Sequence, residues 1–207
     1  MSVLTNEQKV EILSEIVAIP SVNDNELAVA QYLAQWLNQY DIDTHIDYIS
    51  GQRANLIATI GSGKPVVAVS GHMDVVNEGN HDDWTSPPFE LTERNGHLYG
   101  RGAADMKSGL AALVIAMIEI KASGQLKNGT IKLLATAGEE MEQAGSEQLY
   151  RKGYMDDVDA LVIAEPSYPS IVYAHKGSMD IKITSKGRSS HSSTPFMGEN
   201  AITPLIE

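Results

Sequence analysis

The stretch PVVAVSGHMD, Pro65 to Asp74, is an apolar run of strand length that breaks off in a glycine, a histidine and an aspartate. Val66 to Val69 show no alternation of apolar and polar residues, which is the pattern of a strand buried on both faces of a sheet. Two further runs are largely apolar in the same way, Thr130-Ile-Lys-Leu-Leu-Ala-Thr136 and Ala160-Leu-Val-Ile-Ala164. A helical stretch, Ser108 to Ile120, lies between the first two, and a shorter one, Ser146 to Arg151, precedes the third. This order of strand and helix predicts right-handed parallel crossovers and an α/β layered fold.

Upstream, Thr5 and Gln8 have the spacing of a capping box, followed by Val10, Leu13, Ile16 and Val17 at helical intervals, with Ile19-Pro20 as the stop. Asn25 is placed to cap a second helix carrying Leu27, Ala30, Leu33, Trp36 and Leu37. Asp43 to Ile49 alternates like a strand with one wet face, and Asn55 to Ile60 is a second strand, broken at Gly61-Ser-Gly63. Downstream, Ile171 to Tyr173 and Met179 to Thr184 are expected as strands exposed on one face, and Glu199 onward as the start of a helix. The expected domains are 1–174, an incomplete catalytic domain, and 175–207, the beginning of a second domain opening near His175.

The chain of 207 residues carries 15 Lys+Arg against 27 Asp+Glu, a formal charge of −12. Neutralising phosphates needs clustered Lys and Arg, so no nucleic-acid partner is expected. At 43% hydrophobic and 20% charged residues, the composition is that of a globular chain able to form a core. The absence of cysteine excludes disulfides, thiolate metal sites and thiol nucleophiles. MSVLTNEQKV has neither a basic n-region nor an apolar h-region, so no secretory signal is expected. The longest apolar run, Gly109 to Ile118, is short of the ~20 residues of a membrane span. A cytoplasmic protein without a membrane partner is the resulting expectation.

Ligands of parallel sheets bind at the carboxyl ends of the strands. There the three apolar runs lead into Gly71-His72-Met73-Asp74, Gly138-Glu139-Glu140 and Glu165-Pro166, and Asp105 stands just before the central helix. Packing these carboxylates together is unfavourable unless cations neutralise them. A pair of divalent ions does so, and oxygen and imidazole ligands without sulfur suit zinc, cobalt or manganese. Asp74, two residues from His72, can hold the imidazole, and one of Glu139 and Glu140 can bind metal while the other acts as general base, in an order the residues leave open. Isolated His-x-Asp and Glu-Glu pairs usually mark solvated surface; their position at strand ends sets these apart.

Other signals fail. Gly61-Ser-Gly-Lys64 resembles a phosphate loop, but Ala58 stands at the upstream glycine position and Pro65 replaces the hydroxyl residue, so a hairpin turn is expected. Gly100-Arg-Gly-Ala-Ala-Asp105 lacks the third glycine of a dinucleotide fingerprint, and Ser189-Ser-His-Ser-Ser193 has no nucleophile elbow. No loop spaces its acids like a calcium-binding EF-hand. His45, His81, His97 and His175 have no partner pattern and are read as surface or packing residues.

Ser70-Gly-His-Met-Asp-Val-Val76, Trp84-Thr-Ser-Pro-Pro-Phe89, Leu98-Tyr-Gly-Arg-Gly-Ala-Ala-Asp-Met-Lys-Ser-Gly109, Ala137-Gly-Glu-Glu140 and Ile163-Ala-Glu-Pro166 occur in this order. Jointly they resemble the dinuclear zinc metallopeptidase and aminoacylase family, which includes desuccinylases, deacetylases and carboxypeptidases. The resemblance spans roughly residues 5 to 205. It implies a three-layer α/β/α catalytic domain followed by a smaller α+β lid or dimerisation domain. It also implies that His72 binds one zinc, Asp105 bridges both, Glu140 binds the second and Glu165 completes the first. Asp74 then orients His72, and Glu139 is the general base toward a zinc-bridging water in hydrolysis of an amide. His191, in Gly187-Arg-Ser-Ser-His-Ser-Ser-Thr-Pro195, matches the residue that reaches across a homodimer to stabilise the oxyanion. The implied substrate is a small N-acyl amino acid or dipeptide, with succinyl-diaminopimelate desuccinylases as the nearest subgroup.

Members of that family are nearly twice as long, and the missing part carries a last His ligand and substrate-binding residues. The expectation is therefore a truncated chain with weak activity or none alone. The competing expectations are a noncatalytic metal-binding fragment and a dipeptidase or carboxypeptidase of the same family.

Overall fold

The computed structural model describes residues 2–168, 170–174, 176, 177, 179 and 181–206. The chain divides into two compact units, Met1–Tyr168 and Pro169–Glu207. The boundary residue expected from sequence, His175, lies outside the described residues.

The first unit is an α/β layer structure. A five-stranded sheet is formed by β1 (Asp43–Ser50), β2 (Arg53–Ser62), β3 (Val66–His72), β6 (Gly129–Thr136) and β7 (Ala160–Ile163), in the order β1-β2-β6-β3-β7. β6, β3 and β7 run parallel, while β2 is antiparallel to both β1 and β6, so the sheet is mixed. A separate hairpin joins β4 (Thr92–Arg94) and β5 (His97–Tyr99) through Asn95-Gly96, both at positive φ as a tight two-residue turn requires.

Three helices cover one face: α1 (Asn6–Ala18), α2 (Leu27–Gln39) and α3 (Ser108–Ser123). Their buried residues Ile12, Ile16, Leu33, Leu37, Leu110 and Val114 pack with Leu56 and Leu133 of the sheet. Each such side chain contributes roughly 1.5–3 kcal/mol through burial. On the other face Ile57, Ala68 and Leu134 pack against Leu149 of α4 (Ala144–Arg151), which gives the three layers.

The capping box forms as expected: Gln8 N–H donates to the Thr5 hydroxyl at 3.2 Å, and Thr5 N–H to Gln8 Oε1 at 2.9 Å. Val10 is exposed, however, because the buried stripe of α1 runs through Ile12, Ile16 and Val17. Asn25 does not cap α2. Its amide donates to the Pro20 carbonyl, and α2 starts after Glu26 without a side-chain cap.

Gly61-Ser-Gly63 is not a hairpin turn either, since β6 lies between β2 and β3; it begins a crossing connection. Gly61 has φ 78°, and a Cβ there would come 2.3 Å from the Gly129 carbonyl oxygen, so close backbone approach explains the glycine. β7 departs from the buried strand expected: Leu161, Val162 and Ile163 are 43%, 55% and 56% exposed. Among the described residues it is the last strand of the sheet and pairs with β3 alone.

The second unit contains the isolated bridge Arg188–Glu199 and short 3-10 turns at Pro195–Met197 and Thr203–Leu205. The expected strand Ile171–Tyr173 is not formed, nor are Met179 and residues 181–184 in a strand; Asp180 lies outside the described residues. Extended backbone becomes a strand only when a ladder satisfies its N–H and C=O groups. The helix expected from Glu199 is replaced by a turn. Asn200 Oδ1 accepts the Ile202 N–H at 2.8 Å, and Pro204 has no N–H for a continuing helix.

Candidate metal centre

The register of the three parallel strands decides where the chemistry sits. His72 pairs with Thr136, and Ser70 with Ile163, so β3, β6 and β7 end along one rim. The segment after β3 is clamped there. Met73 N–H donates to the Thr136 carbonyl at 2.8 Å, the Ser21 hydroxyl donates to the Met73 carbonyl at 2.6 Å, and Val75 N–H donates to the Ser21 carbonyl at 3.0 Å.

His72 and Asp74 are both buried. His72 Nδ1 lies 2.9 Å from the carbonyl oxygen of Asp74 and 3.6 Å from its carboxylate, so the backbone is the ring's direct partner. The Asp74 carboxylate accepts instead from the backbone N–H groups of Glu139, at 3.1 Å, and Glu140, at 3.0 Å. One aspartate thereby ties the end of β3 to the turn after β6.

That turn starts at Gly138, whose φ of 70° reverses the chain. Asp105 arrives from a wide helical turn, Ala103–Lys107, in which its own φ and ψ of −122° and 101° are not helical. His72 Nε2 faces Asp105 Oδ1 at 3.1 Å, Glu165 Oε2 at 3.8 Å and Glu139 Oε2 at 4.0 Å. His72, Asp105 and Glu140 each offer a ligand atom, and these atoms lie within 4.8 Å of one another.

The electrostatics of this cluster are those of excess anion. Burial pushes the Glu140 carboxyl up, and repulsion from Asp105, Glu139 and Asp74 adds to it. Burial and the Asp105 carboxylate raise Glu165 to about 7. For His72, burial alone would lower the pKa, but Asp74 and Asp105 outweigh it and hold the imidazole at about 9. A proton on His72 is thus the cation that the carboxylates share. Divalent ions are the stronger answer to the same repulsion, and the donor set of one imidazole and several carboxylate oxygens fits them.

Of the residues singled out in the sequence, His72, Asp74, Asp105, Glu139, Glu140 and Glu165 come together on this rim. His191 belongs to the second unit, where it is exposed and its Nδ1 lies 2.8 Å from the Ser193 hydroxyl. His81 stands 3.2 Å from Glu78, and His45 stacks on Tyr154 with ring centroids 6.4 Å apart. His97 is exposed, and His175 lies outside the described residues.

Three participants escaped sequence reasoning. Met106 is buried, and its sulfur accepts the His72 N–H at 3.1 Å. Lys107 is fully buried, and its ammonium donates to the carbonyls of Ile16 at 2.7 Å and Ile19 at 2.9 Å, at the end of α1. Cations suit helix C-termini. Arg53 lies beneath the Gly138 turn. A lysine just ahead of the apolar run Gly109 to Ile118 was the one sequence signal available.

A layered α/β domain with carboxylates and an imidazole gathered at the carboxyl ends of its parallel strands defines a candidate metallohydrolase. The chain belongs to peptidase family M20/M25/M40, whose pattern matches residues 68–203. It is 55% identical over 207 residues to a probable succinyl-diaminopimelate desuccinylase of Staphylococcus epidermidis, covering all of this chain and 51% of that one. The chain thus spans about half the length of the curated relatives it matches. Among solved structures it is similar to human carnosine dipeptidase 1, with a TM-score of 0.65 and 28% identity over 77% of this chain and 38% of that one. It also shares the fold of Bacillus subtilis YXEP, a dinuclear metal binding peptidase of the M20 family, with a TM-score of 0.56 and 18% identity over 76% of this chain and 42% of that one. Among the described residues, no helix is long and apolar enough to cross a membrane.

Proposed function

We propose that the chain is the metal-binding part of an amide hydrolase that removes the acyl group from a small N-acyl amino acid, as a succinyl-diaminopimelate desuccinylase does. The observation that carries this reading is the convergence of His72, Asp105 and Glu140 within ligand distance of one another, with Glu139 alongside. Two divalent ions are assigned to the rim, zinc first, with cobalt or manganese as alternatives. His72 and Glu165 would hold one, Glu140 the other, and Asp105 both, and such ions would supply polarisation of the amide carbonyl and a more acidic water.

The protein's own groups do the rest. Asp74 fixes His72 through its carbonyl and the Glu139–Glu140 turn through its carboxylate. Glu139 takes the proton of the attacking water and delivers it to the leaving amine nitrogen, which balances the hydrolysis. His191, supplied by a second copy in a homodimer, donates to the oxyanion. The proposed setting is the cytoplasm, with the small acylated substrate as the partner.

Glu139→Gln in a complete chain tests the assignment. Metal content should be unchanged, while hydrolysis of N-succinyl-diaminopimelate falls by about 10²–10⁴-fold, the usual worth of a positioned general base. Equal turnover in both proteins removes Glu139 from that role. A dipeptidase reading draws on the 28% identity to carnosine dipeptidase 1. Turnover of dipeptides in preference to the succinylated substrate would decide for it. Metal binding without either activity would leave the noncatalytic fragment.

A further inference from the structure

The face of β2 that starts at Arg53 is built around the turn carrying Glu139 and Glu140. Asn55, two residues on and buried, accepts the Ala137 N–H through Oδ1 and donates through Nδ2 to the Gly145 carbonyl, both at 3.1 Å. It thus brackets the turn at both ends, and Gln143 N–H closes it internally on the Gly138 carbonyl at 2.6 Å. Arg53, also buried, lies against the turn's first residue. A Cβ on Gly138 would come 1.8 Å from Arg53 Nη2, so the backbone of the turn rests directly on the guanidinium.

The guanidinium is itself held by carboxylates from two sides. Nη1 pairs with Asp24 at 2.9 Å and faces Glu142 at 3.8 Å, while Nε lies 3.7 Å from Glu26. Glu26 is fully buried, and neither of its oxygens has a hydrogen-bond partner among the described residues. A buried carboxylate without hydrogen bonds is unfavourable, and it persists where a neighbouring cation and a constrained backbone hold it. Glu26, at the entry to α2, and Arg53, at the start of β2, form such a unit.

We propose that Arg53, backed by Glu26, is a positioning residue: it seats the Gly138–Glu142 turn so that the Glu139 and Glu140 N–H groups reach Asp74 and their side chains stand at the metal rim. The inference rests on the metal-hydrolase reading for the consequence, but not for the geometry.

Two measurements on the full chain separate the two. Amide hydrogen exchange of Glu139 and Glu140 in metal-free protein reads the turn alone. Cobalt titration followed by absorption reads the rim. In Arg53→Met both amides should exchange at least ~10-fold faster, and cobalt should bind about 10–100-fold more weakly with an altered spectrum, the range seen when the groups that orient metal ligands are removed. Arg53→Lys, which keeps the charge but loses the fork, should fall between. Glu26→Gln should shift both readouts in the same direction as Arg53→Met.

Lys152→Met is the control. It breaks the pair of Lys152, the residue that follows α4, with buried Asp47 of β1, 2.5 Å apart, and should lower stability without changing either readout. Wild-type exchange rates in a folded Arg53→Met protein, or equal effects in Lys152→Met, overturn the inference. Accelerated exchange in a chain that binds no cobalt even as wild type supports the seat and overturns the metal reading instead.

Discussion

Asp74→Asn is the substitution whose consequence is best defined by the geometry. The Asp74 carboxylate is fully buried and accepts two backbone N–H groups, one on each oxygen, at 3.1 and 3.0 Å. Asparagine offers one oxygen and one NH₂, so one N–H of the Glu139–Glu140 turn would face a donor. Losing one hydrogen bond to a charged group costs roughly 1.5–3 kcal/mol, with the orphaned N–H included in that range. For a domain of this size about 1 kcal/mol shifts Tm by ~2–4 °C, so Tm should fall by ~3–12 °C. The same change frees the turn that carries Glu139 and Glu140, while His72 keeps the residue 74 carbonyl at Nδ1 and Asp105 at Nε2, so divalent-ion affinity should drop about 10–100-fold through the turn. Calorimetric melting of metal-free protein and isothermal titration with zinc measure the two effects. A melting shift below ~1 °C together with wild-type zinc affinity would refute the assignment of Asp74 as the tie between strand end and turn, since these costs leave no room for a silent change.

Zinc binding should release about one to two protons per chain at pH 7.5, because the metal displaces the proton held by His72 near 9 and part of that on Glu165 near 7; titration in buffers of different ionisation enthalpy counts them, and a count of zero contradicts the shared-proton picture. Leu33→Ala, in the fully buried centre of α2, should lower unfolding free energy by ~2–5 kcal/mol in urea melts without altering metal affinity. Asp47→Asn should matter only above the acid range. Burial would raise Asp47, but Lys152 and Gln148 outweigh it and hold its pKa below normal, so its contribution is present above the usual aspartate pKa and fades as pH falls through the lowered one. Urea melts of both proteins from pH 7 to 3 should therefore converge at the acid end, and a gap that widens there would contradict the sign.

The site was legible in the sequence to the extent that strand ends are. His72, Glu139, Glu140 and Glu165 each follow an apolar run, and parallel neighbours in register place such positions on one rim. The capping box at Thr5 was legible because it is local. What failed is tertiary. The division of labour around Asp74, carbonyl to the ring and carboxylate to the turn, depends on how two connections cross and leaves no mark on spacing. Asn25 looked like a cap, but the chain before α2 bends back to Pro20 and uses the side chain there. Gly61-Ser-Gly63 carries the composition of a hairpin turn, and only the insertion of β6 between its flanking strands shows otherwise. β7 reads as a buried strand from its apolar content, yet content does not report whether a strand has neighbours on both sides.

These features together explain why the rim can exist before any ion arrives. Five carboxylates in one place would drive the strands apart if all were charged and none were bonded, since like charges at this range repel strongly. The fold meets the problem in three ways. Asp74 is absorbed by two backbone donors, so its charge serves the turn. Burial and the neighbouring carboxylates push the Glu140 carboxyl up, and they raise Glu165 to about 7, which leaves Glu165 partly protonated near neutrality. His72 carries a proton well above its usual range. In the proposed assignment the protons on His72 and Glu165 stand where metal bonds would form, so ion binding would exchange protons for cations within an arrangement that the backbone already fixes. It follows that metal should stabilise this chain by mass action, by about 1.4 kcal/mol for each tenfold excess over Kd, rather than by creating its fold.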